Sequence, residues 1–261
     1  MALPIERLDT FSGDAITDLM ANVALGQIPD ASLVYIYGHT PAIPGGSTSV
    51  LWELDGTIGT TGIFPSVPNT YYVSSSSALD VGKTIKVTIL DANYDVQELG
   101  VTTNGQIGVP LAIQALRVIS MENMSSTATA GNVYIGTEPT PTLGVPARLN
   151  TIDMFVQTHQ ISHTANYTVP KGYTLLVKEF GGGTPTADSV LINAHTANPS
   201  AGAFKVRMQI PVYRGHEDQN ASYFPLPEKT DIYLSATAYT NNTEAIGHIF
   251  GVLLPSKYLA T

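Results

Sequence analysis

The sequence predicts an all-β protein, built of antiparallel β-sandwich or jelly-roll lobes with a short N-terminal helix. Three observations lead there. Charged residues make up only 13 % of the 261-residue chain, about half the roughly 25 % of an average soluble domain. Long helices draw their exposed faces from Glu, Lys and Arg, so that scarcity opposes them. Gly and Pro number 23 and 17, and Thr and Ser are abundant, which suits short strands joined by turns. Beyond about residue 32 the apolar period is two.

The first thirty residues differ. From Asp14 to Leu25, Ile16, Leu19, Met20 and Val23 fall at helical spacing on one stripe. Ser12 or Asp14 is placed to cap this helix, Gly26 to end it, and Pro29 to prevent continuation. Such a helix either covers an open end of a β domain or serves as an arm that docks on a neighbouring subunit.

Strands follow. Lys83 to Leu90 sets Ile85, Val87 and Ile89 on one face against Thr84, Lys86 and Thr88. Ala203 to Ile210 is equally regular, and Pro211, which lacks an amide donor, is expected to end that ladder. Weaker candidates are Leu33–Tyr37, Val50–Leu54, Tyr71–Ser74, Gln97–Thr102, Leu116–Met121, Asn132–Gly136, Met154–Thr158, Tyr173–Glu179, Ser189–Asn193, Asp231–Ala238 and Ala245–Leu254. Turn chemistry separates them at Asn104-Gly105, Pro170-Lys171-Gly172 and Gly181-Gly182-Gly183. About a dozen short strands indicate sandwiches rather than a parallel sheet. Glu138 to Pro146, rich in Pro and Thr, is the best linker. The expected organisation is an arm over 1–30 and lobes over 31–145 and 146–261, which one continuous domain could also accommodate.

The search for chemistry yields no assignment. His159 and His163 stand four apart in a segment that looks extended, which would hold them about 13 Å apart, too far to chelate one ion. The polar run His216-Glu217-Asp218-Gln219-Asn220 reads as a solvated loop tip. Asp91 to Asp95 opens like a calcium loop, but Val96 stands where the turn needs Gly and Thr102 where it needs a carboxylate. A hairpin with Asx turns explains it better. Gly-x-Ser-x-Gly and phosphate-loop patterns are absent from the sequence. Trp52, the only Trp, sits in an apolar stretch that predicts core burial. With no Cys there is neither disulfide nor thiolate site. No residue is therefore expected to be catalytic, cofactor-binding or metal-ligating, and no cofactor is expected.

Composition constrains partners. A net charge of −9 with 12 basic residues argues against nucleic acid, because phosphate binding needs a dense positive face. No stretch approaches the ~18 apolar residues of a membrane span, and no secretory signal is expected from Met1 to Arg7. A surface so poor in charge is weakly protected against association. This favours a chain whose faces meet other copies of itself.

Two series of segments carry a family resemblance. The first is Tyr71-Tyr72-Val73-Ser74-Ser75-Ser76-Ser77-Ala78-Leu79-Asp80, the strand to Ile89, and Leu90 to Asp95, followed by Leu116 to Ile119 and Ala130 to Ile135. The second is Tyr167-Thr168-Val169-Pro170-Lys171-Gly172-Tyr173 and Glu228 to Ile232. Together, over roughly Tyr71 to Leu254, they resemble tailed-phage virion structural proteins. The low surface charge leads to an expected self-association as a trimer or hexamer, and the resemblance implies a symmetric, non-enzymatic β-sandwich component of a virus particle. It would contact other virion proteins in a particle assembled in the host cytoplasm. Capsid decoration, a head-tail collar and the tail tip are all open as positions. The alternatives are a carbohydrate- or receptor-binding sandwich module and, third, a sandwich-fold hydrolase.

Overall fold

The computed structural model describes residues 18–52, 64–198, 203–240 and 242–259. Its strands are β1 (Ser32–Ile43), β2 (Thr48–Val50), β3 (Tyr72–Ser75), β4 (Val81–Leu90), β5 (Val96–Asn104), β6 (Val109–Pro110) and β7 (Arg117–Asn123). These are followed by β8 (Val133–Gly136), β9 (Thr151–Phe155), β10 (Asn166–Thr168), β11 (Tyr173–Ala197), β12 (Lys205–Leu226), β13 (Asp231–Ala238) and β14 (Thr243–Pro255). Every pairing between them is antiparallel, and among the described residues one α-helix, α1 (Leu19–Ala24), precedes them. The fold is an all-β sandwich architecture with a short helix, as composition and period predict.

The first lobe is a seven-stranded sheet folded on itself. Its long hairpin, β11 with β12, makes the corner. The first half of β11 pairs with β14, and β14 with β1. The second half of β11 pairs instead with β13, whose other edge holds β10 and β2. Register breaks between Thr184 and Ser189, and Arg214 and Gly215 opposite take φ of 63° and 107°. A bulged strand that changes sheets is a usual way to turn a sandwich corner. Inward residues of both layers then meet: Val177 and Phe180 from β11, Ile192 beyond the corner, Leu234 of β13 and Ile249 of β14, all fully buried.

The second lobe stands between β2 and β10 in the chain. Sheet β6-β3-β8-β9 faces sheet β5-β4-β7 over Val73, Ile85, Val87, Ile89, Met121, Ile135 and Phe155, each fully buried. The boundaries expected at 145/146 do not coincide with these cores. Ile36, Ile43 and Leu51 pack with residues from Ala165 to Leu253, and the second core runs from Tyr71 to Phe155. Strands that close one sandwich come from both ends of the described chain, because β1 finds its partner in β14.

Other expectations also change. The Gly181–Gly183 run is mid-strand, not a turn, because β14 and β12 both hold its backbone. Pro211 does not end β12: among the described residues the strand pairs with β11 alone, so Pro211 costs no ladder bond on its other side. Residues 138–146 are no inter-lobe linker. They fold back on the second lobe, where Ser74 Oγ donates to Gly144 O at 2.9 Å and the Ala147 amide donates to Glu138 Oε2 at 2.8 Å. Helix α1 is capped by Asp18, whose Oδ1 accepts from Met20 N at 2.9 Å. The proposed caps Ser12 and Asp14 lie outside the described residues. Gly26 is left-handed at φ 68° as expected, and Val23 packs on Leu176, Val252 and Leu254. Strand β2 stops at Val50; Trp52 beyond it is fully buried as predicted.

Asp91 behaves as an Asx turn, its Oδ1 accepting from Asn93 N at 2.8 Å and Asp95 N at 3.1 Å. Between the lobes lies a groove of about 500 Å³ lined by residues such as Asp30, Thr88, Asp95, Tyr167 and Lys171. Burial raises the Tyr167 phenol pKa well above its ordinary value.

Candidate functional site on the outer sheet face

Strand alternation decides what the first layer shows to the outside. In β1, Ile36 turns inward, so Tyr35, Tyr37 and His39 turn out. Register sets Tyr35 opposite Phe250, Tyr37 opposite His248 and His39 opposite Ile246. Across the next pairing His248 meets Gly181, and Gly181 meets Asp218 on β12. One row therefore reads Tyr37, His248, Gly181, Asp218. The rows beside it carry Tyr35, Phe250 and Glu179, and His39, Ile246, Gly183 and His216. Helix α1 covers the adjoining part of this face over Leu176 and Val252.

The polar groups converge at the Gly181 position. His216 Nε2 lies 2.7 Å from Asp218 Oδ1, and His248 Nε2 lies 3.4 Å from the same oxygen. His248 Nε2 is also 3.1 Å from Glu179 Oε1. The two imidazoles stack with centroids 5.3 Å apart and planes 9° apart. His248 is 5 % exposed in all, whereas the side chains of His216 and Asp218 are 46 % and 40 % exposed. Tyr35 packs 5.7 Å from the His248 ring and 6.2 Å from that of Tyr37. Burial, with the Glu179 and Asp218 charges adding to it, raises the Tyr35 phenol pKa. The face thus combines a negative field with imidazole nitrogens and aromatic surface.

At the margin, His163 meets Tyr37 edge-on at 5.1 Å and His159 lies 4.5 Å from His163. The expected 13 Å separation fails because the chain turns: the His159 amide donates to Val156 O, and Gln160 is left-handed at φ 61°. His39 Nε2 contacts Glu244 Oε1 at 2.8 Å. Five of the six histidines therefore lie on or beside one face. The sixth, His195, stacks on Tyr233 in the other layer, with centroids 4.3 Å apart.

The His216–Asn220 run belongs to β12 and is no loop tip. Sequence reasoning missed Glu179 and His248 altogether. The alternation of Ile246, His248 and Phe250 was visible in the chain, but the cross-strand register that brings them to Gly181 was not.

No family model matches the sequence, and no curated protein does. Among solved structures, the chain is similar to one of the T13 viral particle of infectious bursal disease virus. The identity is 10 %, with 87 % of this chain and 70 % of that chain covered and a TM-score of 0.25. The VP2 subviral particle of that virus gives 10 % identity, 98 % and 78 % coverage and a TM-score of 0.23. For its Gx strain the values are 11 %, 97 %, 77 % and 0.20. TM-scores of this size do not establish a shared fold.

Proposed function

We propose that this chain is a non-enzymatic structural component of a virus particle, self-associated as a symmetric homo-oligomer, a trimer or hexamer. The observation that carries this reading is the pair of long sheet edges on the first lobe. Among the described residues, β1 pairs with β14 alone and β12 with β11 alone. Unpaired edges are templates for another chain and are normally blunted by charge or cover. Here β1 carries no Asp, Glu, Lys or Arg and is the edge left without charge, whereas β12 carries Lys205, Arg207, Arg214, Glu217 and Asp218. Tyr35 and Val206, on these two strands, are 62 % and 50 % exposed. Closed symmetry is the common way for identical chains to bury such surfaces.

The segments from Tyr71 to Leu254 that resemble tailed-phage virion proteins support the particle context. The acidic balance favours a position away from packaged DNA: an outer decoration, a collar or the tail tip. Contacts with other virion proteins and assembly in the host cytoplasm belong to this reading, as does the absence of nucleic-acid and membrane partners. Sedimentation velocity and light scattering on the purified chain test it. The expected result is a discrete trimer or hexamer at micromolar concentration; a monomer at high micromolar concentration overturns the proposal.

A second reading, a carbohydrate-binding module, draws on the near-parallel Tyr35 and Tyr37 rings, 18° apart, because aromatic faces can stack on apolar ligand surfaces. Saturable glycan binding abolished by Tyr35→Ala would favour it.

A further inference from the structure

We propose that His216, Asp218 and His248 form a binding site for a divalent transition-metal ion of the zinc class, with the Glu179 carboxylate beside His248 adding to the negative field around it. This goes beyond the proposed structural role and stands independently of it.

The three ligand atoms lie within 4.8 Å of one another, and both imidazole Nε2 atoms approach a single oxygen, Asp218 Oδ1. In a tetrahedral site with bonds of about 2.0–2.2 Å, neighbouring ligand atoms are separated by roughly 3.3–3.6 Å. His248 Nε2 already lies at such a separation from Asp218 Oδ1, 3.4 Å, and the His216–Asp218 pair at 2.7 Å would open by less than about 1 Å. Two neutral imidazoles with a carboxylate also suit zinc, nickel or cobalt better than magnesium or calcium, which prefer all-oxygen shells.

The floor of the site is a second, independent observation. Three consecutive glycines in a paired strand weaken it, and nothing about a turn requires them here. A Cβ on Gly181 would stand 2.1 Å from Asp218 Oδ1 and 2.7 Å from His248 Cε1. One on Gly183 would stand 3.1 Å from His216 Nδ1. The glycines therefore keep open the space in which the ligands converge, as strand glycines often do where a ligand approaches the backbone.

The ligands come from β12 and β14, with β11 between them. A bound ion would fasten β12, an edge strand, to the middle of the sheet. The exposed side of His216 and Asp218 leaves a coordination position for water or a neighbouring molecule.

The test uses the full chain freed of metal by a chelator and titrated with Zn²⁺ by calorimetry, with Co²⁺ absorbance as the geometry readout. One ion per chain is expected, with a tetrahedral or five-coordinate cobalt spectrum. His216→Ala and Asp218→Asn alter exposed side chains, so the fold tolerates them. Each is expected to weaken binding by at least the roughly 10–100-fold that even an outer-shell partner typically costs. Zinc at about a hundred times its dissociation constant should raise the thermal midpoint of the unmodified chain by about 5 °C or more, and that of either variant much less. The double variant His159→Ala, His163→Ala is expected to bind normally. The proposal is overturned by the absence of saturable binding, by binding that survives both ligand substitutions, or by binding lost only with His159 and His163.

Discussion

The Arg117 guanidinium, 5 % exposed, reaches from the second lobe to the first. Its Nε and Nη2 donate to Asp231 Oδ1 and Oδ2, both at 3.0 Å, and its Nη1 donates to Pro65 O at 2.6 Å. Asp231 also accepts from Thr168 Oγ1 at 2.6 Å. Removing one partner of a buried pair strands the other charge. Arg117→Met is accordingly expected to cost about 3–5 kcal/mol in urea unfolding, and adding Asp231→Asn should recover part of that loss. His195 offers a contrasting case. Burial beneath Tyr233 and beside Ser235 holds its imidazole pKa below the ordinary 6.5. The folded protein therefore binds fewer protons there than the unfolded chain does. This contribution to stability is complete above the unfolded pKa, falls as pH drops through it, and levels off below the folded pKa. In urea melts at pH 7.5 and pH 5, His195→Gln should lose less stability on acidification than the unmodified chain. An equal loss in both would contradict the assignment.

At the level of elements, glycine decides how closely strands and loops approach. Gly38 in β1 faces the other layer, where a Cβ would stand 2.4 Å from both Leu51 O and Ala165 Cβ. Two of its three nearest neighbours are backbone atoms, so a side-chain rotation cannot relieve the clash. Gly38→Ala is expected to destabilise by about 1–3 kcal/mol, read as a lower urea midpoint at unchanged m-value. The long hairpin shows the opposite use of glycine, where Gly181 and Gly183 leave room for side chains from β12 and β14. Each half of β11 was visible in the sequence as a separate short strand, at Tyr173–Glu179 and Ser189–Asn193. Their union was not, because Gly181–Gly183 has turn composition and only pairing on both edges holds it extended.

For the molecule as a whole, the second lobe interrupts the first between points that touch. The Ala165 amide donates to Leu51 O at 2.9 Å, and Leu234 N donates to Ala165 O at 2.9 Å. Chain entry and exit are therefore adjacent, and the second core shares none of its buried residues with the first. Replacing residues 66–162 by a short Gly/Ser linker, with Asp231→Asn to remove the stranded carboxylate, should leave a cooperatively folding first lobe. Circular dichroism and a single thermal transition would check this; a molten product without one would show that the lobes fold only together.

The sequence by itself determined the class of structure and most of its strands. The alternation in β4, β5, β13 and β14, the Asx turn at Asp91 and the left-handed Gly26 depend on neighbours within a few residues, and local chemistry fixes them. Trp52 belongs with these, since a large apolar ring in an apolar stretch has little choice but burial. Only the tertiary structure decided which strands pair. That pairing closes β1 on β14 across two hundred residues or more and bends β11 between Thr184 and Ser189. It also brings Glu179, His216, Asp218 and His248 together from three strands. Hydrophobic burial and backbone hydrogen bonding are satisfied by many strand orders, and the choice among them rests on contacts between residues far apart in the chain.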